Sequence, residues 1–141
     1  MNTLPDCSQL PEVALPFMNV VHCEELTLVR TLLKALQEKA APEIIDQHMQ
    51  NWLEHTTAHF AREERLMAEY NFFAYPMHQS EHEQVLQELC VQQQRWQEQR
   101  NYEALSSYIL NWRSWLEQHI SSMDFVTAQF LSQFDIKVEL P

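Results

Sequence analysis

Four residues in the middle of the chain carry the first chemical signal. His59 and Glu63 are four apart, and so are His78 and His82. On an α-helix, residues i and i+4 lie one above the other on the same face. Each pair therefore offers two ligand groups side by side. Imidazole and carboxylate at this spacing are common ligands for a first-row transition metal held inside a helix bundle.

The elements that must position these groups follow from composition and pattern. The chain has 141 residues, is 45% hydrophobic and contains no glycine. A β-rich fold of this length needs glycine in its hairpins and bulges, so an all-α fold with simple turns is expected. Apolar positions at helical spacing predict a first helix from Pro16 to Lys39, through Val21, Leu28, Leu32, Leu33 and Leu36. Pro42 opens a second helix that runs to Tyr70, with Glu43 suiting its N-terminal end. Pro76 opens a third, to Gln99. Asn101 is an N-cap for a fourth, which continues through Trp112, Ile120 and Phe125 to Phe134. Short connections predict an antiparallel up-down-up-down four-helix bundle over residues 16–134. An irregular N-terminal arm covers 1–15 and a tail covers 135–141.

In such a bundle, residues at equal depth mirror each other about each turn. The midpoint of His22 and His59 falls at Ala40–Ala41. The two central pairs mirror about Tyr70–Asn71, and the His78/His82 pair mirrors the His119/Asp124 pair about Arg100–Asn101. All three mirrors land on predicted turns. Two of these turns then lie roughly 30 Å from a common layer and the third roughly 15 Å on the other side, at 1.5 Å rise per residue. His22, His59, Glu63, His78, His82, His119 and Asp124 are thereby expected at one level. His119 and Asp124 are five apart, an offset of about 140° on an ideal helix, so a local widening such as a π-bulge is expected between them.

Five imidazoles and two carboxylates exceed what one six-coordinate ion can use. Two ions fit. With both carboxylates bridging and one bridging oxide or hydroxide, eleven of twelve octahedral positions are filled, and the open one suits a small molecule. Imidazole-rich sites with carboxylate bridges suit iron better than magnesium or calcium.

Charge and cysteine usage narrow the class. The net charge of −11 disfavours nucleic acid and anionic membrane surfaces as partners. No apolar run approaches the ~20 residues of a membrane span. The first basic side chain is Arg30, so no charged leader is read and a cytoplasmic protein is expected. Cys7, Cys23 and Cys90 are odd in number and widely spaced, and are expected as reduced thiols. His48 and His55 are left over and are read as partly exposed polar residues, His55 being one turn before His59.

The chain resembles the short bacterial single-domain form of hemerythrin, the non-haem di-iron oxygen-binding family. The motifs are His22 within Asn-Val-Val-His-Cys-Glu-Glu-Leu, His59-Phe-Ala-Arg-Glu63-Glu, His78-Gln-Ser-Glu-His82, and Trp115-Leu-Glu-Gln-His119-Ile-Ser-Ser-Met-Asp124. The resemblance covers residues 16–131. It implies that His78, His82 and His119 hold one filled iron, that His22 and His59 hold the iron with the open position, and that Glu63 and Asp124 bridge. Phe60 and Leu116 match apolar positions lining the family's oxygen pocket. The implied cofactor is a pair of iron ions, ferrous or ferric, with a bridging oxide or hydroxide. Dioxygen is the implied partner, for storage, delivery or sensing, in a monomer or weak oligomer. One departure is Asn19, where many bacterial members carry Asp, so a buried negative partner is missing there. Another is the arm, which lacks the family's tryptophan.

The competing classes are a di-iron oxidase or peroxidase and a nitric-oxide or iron-handling protein. Ferritin-like oxidases use more carboxylates and a Glu-x-x-His pattern. No Glu in this chain has a His three residues later, which favours oxygen binding over strong oxygen activation.

Overall fold

Proline and asparagine mark the helix starts. In a computed structural model that describes residues 3–140, α1 spans Pro16–Gln37, α2 Pro42–Glu69, α3 Tyr75–Gln99 and α4 Tyr102–His119. Residues 1, 2 and 141, the extremes of the expected arm and tail, lie outside the described residues. Proline occupies the first or second position of α1, α2 and α3, where its missing N–H costs nothing. Asn101 caps α4 by accepting from the Ala104 N–H at 3.0 Å. A π-helical turn, Ile120–Asp124, follows α4 directly, and α5 (Phe125–Leu131) carries the same rod onward. The fourth rod thus ends at Leu131, three residues before the expected Phe134.

Helix α1 packs on α2 and α4, and α3 packs on the same two. Short connections make sequential neighbours antiparallel, and the result is the expected all-helical four-helix bundle, with no strand among the described residues. The apolar faces meet in one core. Leu32, Leu36, Ile45, Met49, Leu89 and Ile109 are almost wholly buried, and Trp52 stands edge-on to Trp112 with ring centroids 5.3 Å apart. The indole N–H of Trp96, also buried, donates to Asp46 Oδ1 at 2.8 Å, so this core tryptophan leaves no polar atom unpaired.

The turns are less simple than the absence of glycine suggests. Lys39, Asn71 and Arg100, one in each interhelical connection, have φ of 54°, 54° and 49°. A left-handed conformation costs a side chain with a Cβ roughly 1–2 kcal/mol, less for Asn. Two of the three compensate through their side chains. Lys39 pairs with Glu103 at the start of α4 and lies over the Tyr102 ring. Arg100 pairs with Asp46 on α2 and lies over Trp96.

The arm is irregular apart from a 3-10 turn at Cys7–Gln9, which Asp6 caps. It is nonetheless part of the core, because Leu4, Leu10, Val13 and Leu15 are buried against the bundle. This closeness overturns one expectation. Cys7 and Cys23 are joined in a disulfide, with Cα atoms 5.2 Å apart, and only Cys90 is free, exposed on α3. The pair is sixteen positions apart in sequence, and only the folding-back of the arm onto α1 brings them together.

Candidate metal centre

Helix α1 supplies His22, α2 supplies His59 and Glu63, α3 supplies His78 and His82, α4 ends with His119, and the π turn ends with Asp124. The structure brings all seven together, each no more than 4% exposed. The wide turn is what admits Asp124. With an extra residue in one turn, both His119 and Asp124 face the bundle axis, and their Nε2 and Oδ1 atoms lie 3.1 Å apart.

The two carboxylates lie between two groups of imidazoles. Glu63 turns Oε2 to His59 Nε2 at 2.5 Å, and its Oε1 is 3.5 Å from His82 Nε2 and 3.6 Å from His78 Nε2. Asp124 turns Oδ2 to His22 Nε2 at 2.9 Å, and its Oδ1 is 3.1 Å from both His78 and His119. Ligand atoms of His78, His82, His119 and Asp124 all lie within 4.8 Å of one another, and so do those of His22, His59 and Glu63.

The chemistry of this layer is incomplete without a cation. His78, His82 and His119 Nε2, Glu63 Oε1 and Asp124 Oδ1 are buried with no hydrogen-bond partner. Unpaired polar atoms in a dry interior are costly, and the two buried carboxylates repel each other, Asp124 pushing the Glu63 pKa up. A metal ion removes both penalties, so the residues fit one.

Known proteins match the same stretch. Residues 17–131 match the family model described as the hemerythrin HHE cation binding domain. Bacteriohemerythrin of Aquifex aeolicus (strain VF5) is 36% identical over 116 residues, covering 82% of this chain and 88% of that protein. The chain belongs to the hemerythrin family. It is a metal-binding protein of that family, with a buried cluster of His, Glu and Asp able to hold metal. No helix among the described residues is long and apolar enough to cross a membrane.

In this hemerythrin-family chain the outward nitrogens of four histidines are held from neighbouring helices. Glu25 on α1 accepts from His59 Nδ1 at 3.2 Å, Glu64 on α2 from His82 Nδ1 at 3.0 Å, and Glu81 on α3 from His119 Nδ1 at 2.5 Å. The fourth, His78 Nδ1, lies 2.7 Å from the Thr127 hydroxyl, which in turn faces Met67 Sδ. Such partners fix which nitrogen carries the proton and leave the other lone pair pointing inward. His22 differs: its Nδ1 is buried without a partner. Asn19, the expected gap in negative charge, is turned away. Its amide accepts from Val13 N–H at 2.9 Å and donates to Val13 C=O at 3.0 Å, pinning the arm. An aspartate there could make only the first of these bonds.

Glu25, Glu64, Glu81 and Thr127 were not singled out from the sequence. A signal existed for three of them: Glu25, Glu81 and Thr127 each follow one of the seven residues by three positions, on the same helical face. Which histidine each one serves depends on the neighbouring helix, and spacing along one helix does not reveal that.

In the metal-free layer each charge answers to its neighbours. Burial works against a charged His59 ring, but Glu63 and Glu25 outweigh it and raise its pKa well above the ordinary value. Burial likewise opposes charge on His119, yet Asp124 and Glu81 lift it to about 10. Burial pushes the Asp124 carboxyl up, and His119, His22 and His78 overcome this to hold it well below the usual range. Phe60 is buried and stacked face to face on the His82 ring at 3.7 Å, with His59 at 5.1 Å. Leu116 is buried one turn before Ile120. His48 and His55 are half-buried outside the layer, with His55 Nε2 3.5 Å from Glu24.

Proposed function

We propose that this layer holds two iron ions, bridged by Glu63, Asp124 and an oxide or hydroxide, and binds dioxygen reversibly. The observation that carries the reading is the orientation of the two carboxylates. Each turns one oxygen toward the His22/His59 side and the other toward the His78/His82/His119 side. A carboxylate arranged in this way suits two cations better than one. A ferrous pair held by these residues would supply the two electrons that reversible dioxygen binding needs.

The protein's own contribution is unequal on the two sides. Three imidazoles face one side and two the other, so the His22/His59 side would leave room for a small molecule. Phe60 and Leu116 supply an apolar wall, which limits the water and protons that would convert bound dioxygen to free peroxide. Glu25, Glu64, Glu81 and Thr127 keep four rings aimed inward before any ion arrives. A ferrous pair must be kept reduced, which supports a cytoplasmic place for the protein.

The test is direct. Protein loaded anaerobically with ferrous iron is expected to retain two irons per chain, and admitting air should produce an oxo-bridge charge-transfer band. Removing the oxygen under vacuum should reverse the change. Rapid irreversible passage to the ferric form would favour an oxidase or sensor, and a stoichiometry of one iron would remove the bridged pair.

A further inference from the structure

Cys7 and Cys23 are outside the histidine layer, yet they are held against its edge. Cys23 is the residue after His22 on α1, and Cys7 opens the 3-10 turn of the arm. Between arm and helices lies a cavity of about 720 Å³, whose walls include Cys7, Leu10, Asn19, His22, Cys23 and His55. Both cysteines are only half-buried. His22, on the same wall, is the one imidazole of the five whose outer nitrogen nothing holds. The remaining ties of the arm are modest: the Asn19 amide on Val13, Arg113 on the Thr3 carbonyl at 3.4 Å, and the four buried apolar side chains.

We propose that Cys7–Cys23 is a reversible thiol–disulfide exchange site for a dithiol reductant, and that its redox state sets how firmly the arm covers His22. A thiolate of the reductant attacks one of the two sulfurs. The Cys7–Cys23 bond breaks, a mixed disulfide forms, and the released sulfur takes a proton. The reductant's second thiol then displaces the mixed disulfide. The protein gains two electrons and two protons as two thiols, and the reductant leaves as a disulfide. In a reducing compartment a bond of this kind is transient and redox-sensing, not structural. Its loss restores the freedom of a loop whose ends are sixteen residues apart, so the arm lifts more often and small anions reach the His22 side faster.

The exchange chemistry stands independently of the metal, whereas the effect at His22 rests on the function proposed above. The experiment separates them. In full-length Cys90→Ser protein, free thiols counted in denaturant are expected to pass reversibly from none to two across a dithiothreitol redox titration. Two thiols under every condition would overturn the exchange site. In metal-free protein, hydrogen exchange over residues 3–15 is expected to rise on reduction by up to about 100-fold, and Cys7→Ser should show the raised rate whatever the redox buffer. Arm exchange indifferent to reduction would overturn the cover. In iron-loaded protein, azide should bind several times faster after reduction, and an equal rate would overturn the link to His22. Failure to load iron, with the first two results intact, would instead count against the metal centre alone.

Discussion

Partway along the four rods the filling of the bundle changes. Around Leu36, Ile45, Trp52, Leu89 and Ile109 the inward positions hold hydrocarbon, closely packed and fully buried. Around His59, Glu63, His78, His82 and Asp124 the same helices, at the same spacing, place imidazole and carboxylate inward at equal burial. The backbone does not distinguish the two regions except at the π turn. In the apolar region the Trp52 indole N–H is buried without a hydrogen-bond partner. The polar region leaves five inward atoms without hydrogen-bond partners. One half therefore supplies the stability that lets the other half keep an unfavourable arrangement ready for metal.

The sharpest way to break this division is a pair of substitutions. If the layer holds the proposed iron pair, Asp124→Ala should abolish its retention, because the residue faces both groups of histidines. It should leave the metal-free bundle folded. Trp52→Ala should lower stability by about 3–5 kcal/mol with or without iron, while two irons per chain are kept. Iron analysis and urea unfolding report both. Loss of iron from Trp52→Ala, or unfolding of metal-free Asp124→Ala, would show that the halves are not independent.

A pH series sharpens the contrast. In the metal-free protein His119 has a folded pKa raised from 6.5 to about 10: burial opposes the charge but Asp124 and Glu81 more than offset it. Its contribution is full below about pH 6.5 and is lost as pH rises through about 10. Glu63 is lowered from 4.5 to about 2: burial and Asp124 push it up, and His59 and His82 overcome them. That contribution is full above about pH 4.5 and is lost as pH falls through about 2. Metal-free protein should thus be most stable between about pH 4.5 and 6.5, falling on either side by up to about 1.4 kcal/mol per pH unit for each proton involved. A metal bound as proposed would take the place of the ring protons, so the alkaline decline should vanish in loaded protein. Urea midpoints against pH would show it, and a metal-free protein equally stable from pH 6 to 9 would contradict the electrostatic account.

The smallest expected effect tests the ring of outer partners. Glu25→Ala should weaken iron retention by about 10–100-fold against a chelator, since His59 loses the group that aims it. An unchanged affinity would mean that packing alone orients the ring.

Most of the fold was legible in the sequence because it rests on local rules. Pro16, Pro42 and Pro76 can sit only in a first turn, Asn101 is an N-cap, and helical periodicity carries the rest. The convergence of the seven residues was legible for a related reason: equal helix lengths turn sequence numbers into depths. Even the π turn was foreseeable from the five-residue step between His119 and Asp124. What was not legible depends on one segment meeting another. The service of Glu25 to His59, Glu64 to His82 and Glu81 to His119 is decided across a helix interface. The arm's burial and its bond to Cys23 follow from a return path that no periodic pattern records. The left-handed Lys39 and Arg100 were hidden because their local cost is offset by partners on other helices, Glu103 and Asp46.

The π turn has one more consequence. An inserted position in a helix rotates everything downstream by about 100°. Asp124, and also Thr127 with its hydroxyl beneath His78, owe their aim to that single extra residue. A one-residue deletion within the stretch Ser121–Met123 would swing both away together, whereas a substitution at the same place would disturb neither. In lineages of this chain, the length of that short stretch should therefore be guarded more strictly than its spelling.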